Sequence, residues 1–554
     1  MFLRRKQSGP RVYLQVVEKR WESGRSRQRV IATLGRLDTL RASGELDSLV
    51  RSAARLSEAL LVLDAHGAGE APVVTSERVG PGLIFERLWR ETGCQAVVQR
   101  RLARRQFGFA VERAVFLTVV HRLFAPGSDR AAEPWRGMYR LPGTETLDLH
   151  HLYRAMAWLG EALPADAQAG RTPFGPRCTK DLLEEDLFAY RRDLFTTLDV
   201  VFFDTTSLYF EGEGGETLGR YGHSKDHRPD LKQMVVGAVL DGDGHPVCCE
   251  LWPGNTCDVT SLVPIVERLC TRFAIGELGV VADRGMISQQ TLGELEARGG
   301  RYILGARMGR QKEVREEVLA RAGRYHVVHP PGAHAKDPAP LRVKEVNVEG
   351  RRYVVCLNEA QQRKDEADRA AILAALREKL KQGDQALIGN RGYRKYLLSQ
   401  GERFTIDEAA VRREARYDGK WVLRTNTDLT AAEVALQYKQ LWMVEELFRT
   451  SKSLLATRPI FHRCDETIRG HVFCSFLALI LRQELQARLE ARGEPLKWDD
   501  IVRDLDALTE TGVVHEGKRF RLRTEAGSTC GKVFQAIGVA LPPTVRRLEN
   551  TAQA

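Results

Sequence analysis

The sequence predicts an α/β protein built on a mixed β-sheet, interrupted by a β-rich insertion and flanked by basic and helical segments. Three observations carry this. Two short apolar runs, Val200–Phe203 and Leu278–Ala282, lead straight into aspartates, Asp204 and Asp283. Strand and helix patterns alternate around and after them. A charged segment, residues 309–424, then breaks the rhythm before a capped helix opens near Thr430.

The chain has 554 residues, enough for three or four units at about 150 residues each. Its net charge is +11 and its pI about 9.2. That excess favours a polyanionic partner, either nucleic acid or an acidic membrane surface. None of the ten cysteines forms a CxxC pair, which argues against a zinc ribbon. Met1-Phe2-Leu3 runs at once into Arg4-Arg5-Lys6, unlike a secretory signal. The best apolar run, Phe476–Leu481, is too short to span a bilayer. A cytoplasmic protein with reduced thiols is expected.

Residues 1–45 are expected to form a basic β-hairpin arm. The first forty residues hold ten Lys/Arg against three acids. Tyr13, Gln15 and Val17 alternate before Ser23-Gly24, and Val30–Ala32 resume after it. The arm reads as a phosphate-backbone contact or as a solvated ribbon. Residues 46–185 read as a helical DNA-binding region, with apolar residues at helical spacing over Arg51–Leu63, Ala110–Phe124 and Leu147–Leu163. Arg100, Arg101, Arg104 and Arg105 fall on one helix face as a basic stripe, either a DNA contact or a solvated face; the neighbouring arm favours DNA. The Pro-, Gly- and Arg-rich segment Pro164–Lys180 marks a boundary.

Residues 195–308 hold the first part of the α/β core. The run into Asp204 reads as a strand buried on both faces. A carboxylate there costs several kcal/mol unless a positive group meets it. No Lys or Arg stands within five residues of Asp204, so a metal ion or a distant base has to. An aspartate capping the next turn is the plainer alternative. A polar stretch containing Lys225 then leads to strands Met234–Leu240 and Pro246–Trp252, joined by Asp241-Gly242-Asp243-Gly244. Asp258 N-caps a helix over Ser261–Phe273, and the second run ends on Asp283 before Arg284-Gly285. Helix Gln289–Ala297 and strand Arg301–Ala306 follow. His223, His227 and His245 lack the spacing of a metal site.

Residues 309–424 read as an inserted domain, with strands Tyr353–Leu357, Gln385–Gly389 and Trp421–Thr425 and a polar helix over Asp365–Gln382. Residues 425–485 resume the core. Thr430 and Glu433 form a capping box for a long helix reaching Lys452. At about 100° per residue, Tyr438, Glu445 and Lys452 stack on one stripe, with Trp442 and Arg449 beside it. Apolar neighbours are expected to half-bury Glu445; a surface pair of Glu445 and Glu446 is the alternative. Residues 486–554 form a small α+β module: a helix over Trp498–Leu508, a basic hairpin Val513–Arg523 turning at Glu516-Gly517, and a short helix ending at Pro542-Pro543. Subunit contact and DNA contact both remain open for it.

Three carboxylates in one site suit hard cations such as Mg²⁺ and Mn²⁺. They can hold two ions about 3.5–4 Å apart, the arrangement for in-line phosphoryl transfer. A basic chain with such a site would act on phosphodiesters.

Asp204, Asp283 with Arg284-Gly285, and Tyr438, Glu445 and Lys452 occur in the order and at the spacings of one family. The chain resembles DDE-type bacterial insertion-sequence transposases with an RNase H-like core. It looks most like the branch with a Tyr-x2-Arg-x3-Glu-x6-Lys signature and a β-rich insertion, although Leu441 stands at the Arg position; Lys439 or Arg449 would substitute. Arg458-Pro459-Ile460 to Leu481, with His462, Arg469 and His471, also resembles the stretch after the signature. The resemblance implies that Asp204, Asp283 and Glu445 are catalytic and hold two Mg²⁺ (or Mn²⁺). It implies DNA contacts by Tyr438, Lys452, Arg449, Lys225 and Arg284, and stacking of a displaced base on Trp421. Partners would be terminal inverted repeats, target DNA and a second copy of the chain. A non-catalytic DNA-binding derivative and a structure-selective nuclease are the alternatives.

Overall fold

The computed structural model describes residues 1–22, 25–54, 57–191, 200–273, 279–283, 288–330, 338–382, 395–400 and 403–548. The chain divides into two units, one of residues 1–82, 138–140 and 497–554, the other of residues 83–137 and 141–496.

The N-terminal arm is a three-stranded antiparallel sheet of β1 (Phe2–Ser8), β2 (Arg11–Glu22) and β3 (Arg25–Arg36), in that order. The expected hairpin is β2–β3; its turn at Ser23-Gly24 lies outside the described residues. The extra strand, β1, has no apolar alternation to announce it: its side chains are almost all exposed. Helices Glu45–Ala54 and Glu58–Gly67 stand where a single helix, Arg51–Leu63, was expected. Strand β4 (Val73–Arg78) follows. Helices Val111–Phe124 and Leu149–Gly160 match the expected ones within two or three residues.

In the second unit the strands are β5 (Val200–Tyr209), β6 (Gln233–Leu240), β7 (Pro246–Pro253), β8 (Gly279–Ala282), β9 (Arg301–Ala306), β10 (His326–His329), β11 (Leu341–Val348), β12 (Arg351–Leu357), β13 (Leu397–Gln400), β14 (Arg403–Ile406) and β15 (Lys420–Thr425). Nine of them form one mixed sheet, ordered β10-β11-β12-β15-β9-β8-β5-β6-β7. β8 runs parallel to both β5 and β9; the other pairs are antiparallel. Four strands from residues 309–425, β10, β11, β12 and β15, thus lengthen the sheet beyond β9. β13 and β14 stay apart, packed through Leu397 and Ile406 on Leu373, Leu376 and Tyr396. The expected strand Gln385–Gly389 lies outside the described residues.

Helices cover both faces of this sheet, which explains the unbroken apolar runs. On one face Val201, Phe203, Val235 and Val280 pack against Leu262, Ile265 and Leu269 of helix Asp258–Phe273. On the other, Phe202, Val236, Ala238 and Val281 pack against Val434, Val444, Phe448, Ile468 and Val472. Those five come from helices Ala431–Lys439, Trp442–Arg449 and Asp465–Ala491.

The chain returns to the first unit with helix Trp498–Asp506, β16 (Thr509–His515), β17 (Lys518–Arg523), helix Ser528–Ile537 and β18 (Val545–Leu548). The sheet order is β18-β17-β16-β4. The β16–β17 hairpin turns at Glu516 and Gly517, both at positive φ, as the tightest two-residue turns require. The last helix stops at Gly538, at φ 68°, rather than running on to Pro542-Pro543; a left-handed glycine cap ends it first. Among the described residues no helix is long and apolar enough to cross a membrane.

Candidate active site

Asp204 lies within β5, not at its end. The parallel register pairs Phe203 with Ala282, one residue before Asp204 and Asp283, so both acids lie at the same end of the β5–β8 ladder. Both are half-buried. The distant base that Asp204 requires is Lys225, whose Nζ lies 4.0 Å from Asp204 Oδ1. The same ammonium donates to the Thr205 carbonyl at 2.7 Å and the Thr205 hydroxyl at 2.8 Å. The Lys225 backbone N–H donates to Ser207 Oγ at 2.8 Å, so the loop after β5 folds back along its own strand. Arg284 lies outside the described residues.

Asp283 follows β8 directly and accepts a hydrogen bond from the Tyr438 hydroxyl at 2.9 Å. Tyr438 belongs to helix Ala431–Lys439, whose Thr430–Glu433 capping box is present as expected. That helix does not run on to Lys452. It breaks at Gln440 and Leu441, where Met443 and Val444 donate to carbonyls three residues back. Helix Trp442–Arg449 then passes into a π-helical turn, Thr450–Leu454. Two changes of pitch undo the single stripe projected from uniform helical spacing. Tyr438 reaches Asp283, and Lys452 reaches Asp226 instead, at 2.8 Å.

Glu445 is exposed, where half-burial was expected. The buried side of its helix is Val444 and Phe448, packed on the sheet face of Phe202, Val236 and Ala238. Glu445 follows Val444 and is turned about 100° away. Among the described residues, two groups bring His or carboxylate ligand atoms within 4.8 Å of one another: Asp129, His462 and His471, and Asp148, His150 and His151. Asp204, Asp283 and Glu445 are not drawn that tightly together.

Lys452 and Arg458 both lean on Asp226, Arg458 at 3.4 Å. The Asp226 side chain is buried and that of Lys452 nearly so. Burial lowers the Lys452 pKa, and the Asp226 carboxylate opposes that. The guanidiniums of Arg228 and Arg458 lie 5.5 and 5.4 Å from the Tyr209 ring centre. Asp226 carries no catalytic signature in the sequence, where only the charged run Lys225–Asp230 hints at it; Arg458 opens the stretch that resembles the one after the family signature. Arg449 is exposed and pairs with Glu446 at 2.7 Å. Trp421 is half-buried against the sheet core.

The four-arginine stripe is corrected too. Its helix ends at Leu102, leaving Arg104 and Arg105 in the following turn. Arg101 makes a bidentate pair with Asp186 at 2.6 and 2.7 Å, and Arg105 pairs with Glu161. Arg100 and Arg104 are exposed.

The Asp129–His462–His471 group already holds a cation. Arg122 Nη2 lies 2.9 Å from His471 Nδ1 and 3.3 Å from Asp129 Oδ1. His471 Nε2 faces the Thr457 carbonyl at 3.1 Å and donates to it, leaving Nδ1 to accept from Arg122. Burial pushes His471 down to about 4. Burial would raise Asp129, but Arg122 and the two histidines outweigh it and hold the carboxylate well below its usual range. The group reads as a buried structural network joining helix Val111–Phe124 to helix Asp465–Ala491.

Residues 196–481 match the transposase DDE domain, and residues 3–65 match the N-terminal domain of IS1634 family transposases. The chain belongs to the DDE transposases of insertion sequences. The DDE match spans β5 to β15 and all three candidate acids, and the large mixed sheet fits an RNase H-like transposase core. The N-terminal match spans the basic three-stranded sheet and most of helix Glu58–Gly67. No curated protein matches the chain.

Proposed function

We infer that this transposase cuts the ends of its own insertion sequence and joins the freed 3′-hydroxyls to target DNA. Asp204, Asp283 and Glu445 are the catalytic acids in this reading. The observation that supports it is the pairing of β5 with β8 inside the matched domain, which brings Asp204 and Asp283 to one end of that ladder while the Glu445 helix packs on the same sheet. Three hard oxygen donors without sulfur or imidazole fit Mg²⁺ or Mn²⁺. Two such ions, when bound, activate the attacking oxygen and stabilise the leaving one.

The chain's own groups prepare the site. Lys225 offsets the Asp204 charge before a cation arrives, so the half-buried carboxylate is tolerated. The Tyr438 hydroxyl fixes the Asp283 carboxylate and leaves its second oxygen for a ligand. Lys452 and Arg458 place two positive groups against Asp226, next to the Lys225 loop, where a DNA phosphate is expected to dock. The arginines outside the core, Arg100 and Arg104 with Arg101 and Arg105, would follow the DNA backbone beyond the cut. The assembly that pairs two ends would be a homodimer in the bacterial cytoplasm, associated with the nucleoid when bound.

The test is direct. Full-length protein with Mg²⁺ is mixed with a supercoiled plasmid carrying the gene and its genomic flanks. Nicks at the element's boundaries are expected, and Asp204→Asn or Glu445→Gln is expected to abolish them. Unchanged nicking by both variants rejects the assignment of the acids.

A further inference from the structure

The C-terminal sheet has two unlike faces. Register places Val513, Phe520, Leu522 and Val545 on one, packed with Val62 and Ala65 of helix Glu58–Gly67. The other carries Arg519, Arg521 and Arg523 of β17, Arg546 of β18, Glu510 of β16 and Glu77 of β4. Arg521 and Arg546 are direct cross-strand partners. Like charges so placed destabilise a sheet unless something negative answers them.

The answer within the protein is partial. Glu510, 2% exposed, meets Arg140 at 2.6 Å, Arg546 at 3.5 Å and Arg521 at 3.6 Å. Glu77 pairs with Arg140 at 2.9 Å, and its charge also acts on Arg521. Arg523 donates to the Pro542 and Thr524 carbonyls. Two carboxylates therefore serve three guanidiniums, and neither pairs with Arg519 or Arg523. Arg519 is exposed, and the Arg521 and Arg546 side chains keep 29% and 46% of their surface in solvent. A buried glutamate gathers arginines into a row and leaves their outer edges unneutralised. That is the electrostatic footprint of a site for a repeating anion.

We propose that this face of the C-terminal sheet binds the phosphodiester backbone of duplex DNA, independently of sequence, through Arg519, Arg521 and Arg546. This rests on the transposase reading above and gives the C-terminal module a DNA-holding role separate from the cutting site. Glu510 is a positioning residue: it aims the Arg521 and Arg546 guanidiniums and touches no DNA.

The test uses the full chain and a fluorescent random-sequence duplex in EDTA, titrated at several salt concentrations. Arg519→Gln combined with Arg546→Gln is expected to weaken binding roughly tenfold. The slope of log affinity against log salt should become shallower by about 0.9 for each phosphate that is no longer neutralised. Lysine at both positions should restore most of the slope. Arg521→Gln is a second variant; should it unfold the sheet, the two exposed positions still decide. Unchanged affinity and slope overturn the proposal. So does a changed oligomeric state with an intact slope, which would assign the face to a second copy of the chain. If wild-type protein neither binds the duplex nor nicks the plasmid, the transposase reading falls and this proposal with it. If wild type does both and the variants bind equally well, the sheet face alone is refuted.

Discussion

Tyr438 and Asp283, far apart in the chain, share a 2.9 Å hydrogen bond that ties the helix before Glu445 to the end of β8. Tyr438→Phe keeps the ring and removes only the hydroxyl. One hydrogen bond is worth about 0.5–1.5 kcal/mol, so the fold should survive. The Asp283 carboxylate loses its fixed orientation, and nicking should fall about tenfold, by misplacement of the site. Plasmid nicking and thermal unfolding together check this; full activity would mean that the bond is incidental.

Lys452 and Asp226 form the second such tie, with side chains only 12% and 6% exposed. Removing one partner strands the other charge in a low dielectric, at a cost of about 3–5 kcal/mol. Asp226→Asn is expected to lower the urea midpoint accordingly. Adding Lys452→Met should recover more than about 1 kcal/mol, the signature of coupled neighbours in a double-mutant cycle. Additive losses would argue that the two side chains act separately.

Much of the core sheet is legible in the sequence because burial on both faces leaves a crude, local signal. The runs before Asp204 and Asp283 fold as strands, and helix Gln289–Ala297 and strand Arg301–Ala306 have their expected bounds. What escapes is non-local or subtle. β4 is a strand because β16, at the other end of the chain, pairs with it. The break at Gln440–Leu441 is a local switch to backbone hydrogen bonds three residues back, which no spacing reveals. The demand of Asp204 for a positive partner, a metal ion or a distant base, is readable, but the position of Lys225 depends on how a polar loop folds back. Asp226 is one acid among many until Lys452 and Arg458 are placed against it.

A buried ion cluster offers a further stability test. Arg272, its side chain fully buried, reaches Glu184 at 2.7 Å, Glu185 at 2.8 Å and Glu250 at 3.3 Å. Lys180 and Arg268 complete it, each 2.7 Å from Asp181. The cluster joins helices Thr179–Arg191 and Asp258–Phe273 to β7. Arg272→Met leaves buried carboxylates short of a partner and should cost about 3–5 kcal/mol in urea unfolding. A loss under about 1 kcal/mol would mean that Lys180 and Arg268 suffice.

Acid sensitivity should come from His121 and His471, both pushed down to about 4, chiefly by burial. His121 packs edge-on against Trp135 at 5.2 Å, and neither of its ring nitrogens has a hydrogen-bond partner. The folded state therefore favours the neutral ring, while the unfolded chain protonates near 6.5. As pH falls through that value, the unfolded state takes up protons that the folded state refuses. Stability is intact above about 6.5 and drains away towards about 4, by roughly 3 kcal/mol per ring. His121→Phe keeps an aromatic ring against Trp135 and removes one titrating group. Urea unfolding at about pH 4.5 and about pH 7.5 should show a smaller difference for the variant than for wild type. Equal differences would place the acid sensitivity elsewhere, with His471 and its Asp129 network as the next suspect.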